Sequence, residues 1–118
     1  MVDPFGLDHL LAFLAAWPYS AAVVGGLAIV LRVRPRLTRD VDLVVTVPGD
    51  RRVLLAHLRR AGYEPVEDDV DEWLAGGLVQ VRCDQARLDV IVADDPFLEA
   101  VARRAEPVEI EGHSLPVA

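Results

Sequence analysis

The sequence predicts a single α/β domain. Three observations carry that expectation. The chain has 118 residues, enough for one domain with its own core and near the lower end of comfortable size. Stretches with apolar residues at helical spacing alternate with short apolar runs of strand length. Gly, Pro and Asp stand between these stretches, where turns and helix caps need them.

Asp3-Pro4 can open a first helix, because proline suits the first turn and an aspartate can cap it. Leu7, Leu10, Leu11, Leu14 and Trp17 then recur at helical spacing, and Pro18 ends the run. Tyr19 to Val24 reads as a short buried strand. Gly25-Gly26 breaks it, and Leu27 to Val33 returns to an apolar helix that Pro35 stops. Asp40 to Val47 is a second strand, closed by Pro48-Gly49. Asp50 can cap a helix from Arg51 to Ala61, with Leu54, Leu55 and Leu58 on its buried side and Gly62 as its stop. The acidic run EDDVDE, residues 67–72, reads as a solvated face, and Trp73 and Leu74 are expected to fold back onto the core. Leu78 to Cys83 and Leu88 to Val92 read as strands joined by a short turn. Asp94-Asp95-Pro96 caps a helix over Phe97 to Ala105. Val108–Glu111 and Ser114–Val117 can close the chain as a hairpin around Gly112-His113. His57 and His113 read as a helix-surface residue and a turn residue.

Composition excludes several classes. Hydrophobic residues make up 53% of the chain and mean hydropathy is +0.28. That is apolar enough to leave surface for a partner or for a missing segment. The net charge of −7 is not that of a general nucleic-acid binder. All twelve basic residues are arginine. The single cysteine, Cys83, excludes an internal disulfide and suits a reducing cytoplasm. No signal-peptide pattern is visible. The longest apolar run, Ala21 to Leu31, falls short of the roughly 20 residues a membrane helix needs. There is no P-loop, no Cys/His metal spacing and no internal repeat.

The chemistry-bearing stretch runs from Val23 to Val47. Residues i and i+2 of a strand share a face, so Asp40 and Asp42 should stand side by side while Val41 and Leu43 enter the core. Two carboxylates that close repel unless a proton or cation intervenes. Asp89 lies in the apolar strand RLDVIV, where an acid is costly to bury unless it is paired or coordinates a cation. A glycine pair between strand and helix allows close backbone approach to a ligand, and the following helix points its positive end at that turn, which suits phosphate. Arg32, Arg34, Arg36 and Arg39 crowd the loop before the acid pair, where they can hold phosphate or simply balance the carboxylates.

Val24-Gly25-Gly26, then Asp40-Val41-Asp42-Leu43 after thirteen intervening residues, then Leu88-Asp89-Val90, together resemble the signature of the polymerase-beta-like nucleotidyltransferase superfamily. Gly25-Gly26-x-Ala28 with Arg36-x-Thr38-x-Asp40-x-Asp42 is most similar to its AbiEii/AbiGii-type toxin group. The resemblance runs from about Tyr19 to the end of the chain. It implies a single-domain mixed β-sheet flanked by helices. It also implies transfer of a nucleoside monophosphate from a nucleoside triphosphate to an acceptor hydroxyl, on an RNA end or a protein side chain. Asp40, Asp42 and Asp89 would be the catalytic carboxylates and the ligands of one or two Mg²⁺ ions, which fits a hard cation. Gly25, Gly26, Arg36, Thr38 and Arg39 would hold the nucleotide. An antitoxin or other protein partner, or self-association, is implied as well. Relatives of the toxin kind continue into a helical segment where this chain reads His113 to Ala118, so the expectation is a catalytic core without that segment. The alternative is a catalytically silent binding module of the same fold that needs a partner protein. A phosphohydrolase using the same carboxylates is weaker, because the Gly-Gly-to-Asp spacing points to triphosphate.

Overall fold

The computed structural model describes residues 7–24, 40–66, 71, 75, 77–83, 86–110 and 112–118. The side chains of Asp40 and Ile110 are not among the described parts. Three helices and seven strands follow in the order α1 (Leu7–Ala16), β1 (Ala21–Val24), β2 (Asp40–Val45), α2 (Arg52–Arg60), β3 (Glu64–Pro65), β4 (Leu78–Cys83), β5 (Ala86–Val92), α3 (Pro96–Arg103), β6 (Glu106–Ile110) and β7 (His113–Val117). The strands make one mixed sheet of order β3-β4-β5-β2-β1-β7-β6. β2 runs parallel to β5, and β1 parallel to β7. The remaining neighbours are antiparallel.

The sheet alternates as the period of two demands. Val41, Leu43 and Val45 on β2, Leu88, Val90 and Val92 on β5, and Val79 and Val81 on β4 all enter one core. Leu7, Leu10, Phe13 and Trp17 cover it from α1 and its exit, and Leu54, Leu55 and Leu58 from α2. Phe13, Leu54 and Leu58 are fully buried. On the other face the short helix α3 makes a second, smaller cluster, in which Ala102 and Leu98 meet Val44, Ile91, Val24 and Ala93. The two clusters explain why β2 is apolar on both faces at its C-terminal end and on one face only at its start.

Local chemistry sets the boundaries. Asp95 caps α3, its carboxylate accepting from the Leu98 amide at 2.8 Å, and Pro96 follows at the first helical position. Asp50 accepts from the Arg52 amide at 2.9 Å. Gly62 stops α2 with φ +102°. A Cβ at that position would lie 2.6 Å from Nδ1 of His9. His9 is there because its Nδ1 pairs with the Ala61 carbonyl at 2.7 Å, tying α1 to the end of α2.

Several details depart from the sequence expectation. α1 begins at Leu7, and Asp3 and Pro4 lie outside the described residues. β2 ends at Val45, although the Thr46 amide still donates to the Ser20 carbonyl. β3 lies just ahead of the acidic run, paired with β4. β5 begins at Ala86, two residues ahead of the apolar run. His113 is the first residue of β7, opposite Ile110, and not part of the turn. The expected helix over Leu27–Val33 and the inward fold of Trp73 and Leu74 lie outside the described residues.

Candidate active site

Strand pairing assembles the acids. β2 and β5 run parallel with Asp42 opposite Asp89 and Asp40 opposite Arg87. Partners in register share a face. Val41, Leu43, Leu88 and Val90 belong to the core, so Asp42 and Asp89 stand on the opposite face. Both are half-buried. Neighbouring strands lie about 4.8 Å apart, which sets the scale of the separation between the two Cα atoms. The backbone of Asp40 opens β2, opposite Arg87.

The surroundings of the pair follow from the same register. Val24, the last residue of β1, is opposite Asp42, so the chain leaves β1 beside the acid pair and continues into Gly25-Gly26. On the other flank Gln80 of β4 is opposite Asp89, and Arg82 is opposite Arg87. α3 covers the end of this face where Val44 and Ile91 lie. The acids occupy the end away from it. Gly25, Gly26, Arg36, Thr38 and Arg39 lie outside the described residues.

Sequence reasoning named Asp42 and Asp89, and strand pairing brings them together. It did not single out Gln80, Arg82 or Arg87, which share their face. The alternation in LVQVRC and ARLDVIV carries that signal, since each apolar residue facing the core leaves its polar neighbour facing the acids. Asp71, in the acidic run set aside as solvated, is exposed and pairs with Arg52 at 3.5 Å. His57 lies on α2 with its Nδ1 2.9 Å from the Val53 carbonyl and its ring against Trp17. Cys83 is half-buried at the end of β4.

Two facing carboxylates can share one hard divalent cation, which takes oxygen ligands at about 2.1 Å when it is magnesium. Among the described residues no group of three His, Cys, Asp or Glu side chains is positioned to hold a metal.

The family model described as "Nucleotidyl transferase AbiEii toxin, Type IV TA system" matches residues 9–117. The chain belongs to this family. Its AbiEii match includes every strand of the sheet and all the carboxylates named above. No curated protein matches. Among solved structures, the solution structure of the antibiotic-resistance factor ANT(2'')-Ia is similar with a TM-score of 0.62 and 19% sequence identity. The match covers 95% of this chain and 62% of that one. At such identity the likeness shows the fold, a mixed α/β sheet of the nucleotidyltransferase type.

Proposed function

We propose that this AbiEii-family chain is the core of a metal-dependent nucleotidyltransferase, acting as the toxin of a toxin–antitoxin or abortive-infection pair in the cytoplasm. The observation that carries the reading is the in-register meeting of Asp42 and Asp89 on the sheet face opposite the main core, half-buried and beside the exit of β1. Family membership supports the same chemistry.

In this reading Asp40, Asp42 and Asp89 hold Mg²⁺, which when bound neutralises triphosphate charge and stabilises the oxygens entering and leaving phosphorus. Gly25 and Gly26 would offer backbone N–H groups to the outer phosphates, and Arg36, Thr38 and Arg39 would hold the same triphosphate. Asp89 accepts the proton of the acceptor hydroxyl. The hydroxyl oxygen then bonds to the α-phosphorus, the bridging bond to the β-phosphate breaks, and pyrophosphate leaves. Positioning and charge supply most of the catalysis in phosphoryl chemistry of this kind.

Calorimetric titration with Mg²⁺ and an α,β-non-hydrolysable nucleoside triphosphate tests the reading. The wild type should bind only with Mg²⁺ present, and Asp40→Ala/Asp42→Ala should abolish binding. Equal binding by wild type and variant would remove the site from this carboxylate group.

A second reading is favoured by one observation. Phe97 on α3 is 75% exposed and borders an apolar hollow with Ala100, Val101 and Ala118. Such a surface suits a protein partner, and the chain would then be a nucleotide-binding module completed by it. A monomeric state at high concentration in light scattering would exclude self-association as the way this surface is covered.

A further inference from the structure

We propose that Arg82 and Arg87 form a subsite for a phosphate group carried by the acceptor, on the flank of the acid pair away from the Gly-Gly turn. This rests on the nucleotidyltransferase reading above and concerns the side from which the acceptor enters.

The strand order supplies the direction. Across the sheet the residues run Val24 on β1, Asp42 on β2, Asp89 on β5 and Gln80 on β4. In the nucleotidyltransferase reading Gly25-Gly26, next in the chain after Val24, hold the outer phosphates, which would put the leaving pyrophosphate on the β1 flank. In-line displacement puts the entering oxygen opposite the leaving one. The acceptor therefore comes over β5 and β4. One step along those strands stand Arg87 and Arg82, directly opposite each other in an antiparallel pair.

That pair is not what stability alone would select. Like charges directly opposite on neighbouring strands are destabilising. Both side chains are exposed, and the register gives them the acid face. The ion pairs Arg52–Asp71 and Arg59–Glu64 among the described residues use neither of them. Glu64 is the residue opposite Arg82, yet its carboxylate lies 3.5 Å from Nε of Arg59. Asp40 is opposite Arg87. Two arginines opposite each other on neighbouring strands can bring two guanidinium forks to the oxygens of one phosphate, since arginine binds phosphate in two-pronged fashion. A phosphodiester next to the attacking hydroxyl would offer that phosphate. A hydroxyl on a protein side chain would not.

The test is a pair of titrations followed by amide NMR, on wild type, Arg82→Gln/Arg87→Gln and Arg82→Lys/Arg87→Lys. One ligand is a dinucleoside monophosphate with a free 3′-hydroxyl, compared with the bare nucleoside. The other is Mg²⁺ with the non-hydrolysable triphosphate. The expected result is that the dinucleoside monophosphate shifts the β4 and β5 amides and binds the glutamine variant at least about tenfold more weakly, with partial recovery in the lysine variant. Triphosphate affinity should stay within about twofold of wild type. The unchanged spectrum away from β4 and β5 reports that the variants are folded. If the glutamine variant loses triphosphate instead, the arginines hold the nucleotide's own phosphates and the acceptor assignment is overturned. If wild type binds the nucleoside as tightly as the dinucleoside monophosphate, there is no phosphate subsite, and a protein acceptor is the better reading. Wild type that binds the dinucleoside monophosphate through the arginines but no triphosphate would keep the subsite and sink the nucleotidyltransferase reading.

Discussion

Replacing Asp89 by asparagine removes one negative charge from a strand pair in which Asp42 stands opposite. The shape of the side chain is retained. In the absence of metal the two carboxylates oppose folding by their mutual repulsion. At a separation of roughly 5 Å, two unit charges repel by about 1 kcal/mol in water and about 3 kcal/mol at an effective dielectric of about 20. Both residues are half-buried, so solvent screens the pair and the lower figure applies. For a chain of 118 residues, 1 kcal/mol corresponds to a shift of about 4 °C in the melting temperature. Asp89→Asn should therefore melt about 4 °C above wild type in the presence of a chelator. If the proposed metal site is right, adding Mg²⁺ with a non-hydrolysable triphosphate should reverse the order, because a ligand that binds only the folded state raises the wild-type melting temperature by mass action and the variant lacks one of the proposed carboxylate ligands. Differential scanning calorimetry with and without Mg²⁺ reads both effects in one experiment. A variant that melts below wild type in chelator would show that the carboxylate is held by favourable contacts and not by the metal's absence. Equal Mg²⁺-dependent stabilisation of both proteins would remove Asp89 from the metal site.

Two further predictions concern the frame that holds the site. Gly62→Ala must place a side chain at φ +102° and within 2.6 Å of the His9 ring, so it should cost at least about 1 kcal/mol in urea unfolding. The double variant with His9→Ala should recover the steric part of that loss and leave the backbone part. Asp95→Ala should remove the cap bond to the Leu98 amide and cost about 1 kcal/mol, with amide exchange in the first turn of α3 rising more than elsewhere.

How far the sequence disclosed the fold depends on the range of the interaction. Local signals were sufficient where a residue acts on its own backbone. Pro96 and Asp95 start α3, Gly62 ends α2, and the leucines of α2 face the core as their spacing requires. β3 was hidden because two residues carry no periodicity. Its pairing is written in β4, where the Gln80 carbonyl accepts from the Val66 amide at 2.9 Å. Ala86 and Arg87 extend β5 beyond the apolar run for a similar reason. Cross-strand partners from β4 hold them, while composition alone marks them as turn. His9 gave no sign in the sequence of its bond to Ala61, since the two are brought together only when α1 packs on α2.

The site shows the same division, with a consequence for its chemistry. Asp40 and Asp42 are neighbours by sequence, and any strand would align them. Asp89 joins them only because β5 inserts in parallel beside β2, with a register that sets Asp89 against Asp42. A shift by one residue would turn Asp89 into the core and Leu88 out of it. The burial of Leu88, Val90 and Val92 therefore fixes the register of the acid pair as firmly as it fixes the fold. The same constraint sends Arg87 and, through β4, Arg82 to the acid face. Hydrophobic alternation that stabilises the sheet thus also places two cations on the acid face, and residues on that face can be varied while the register stays locked by the opposite one.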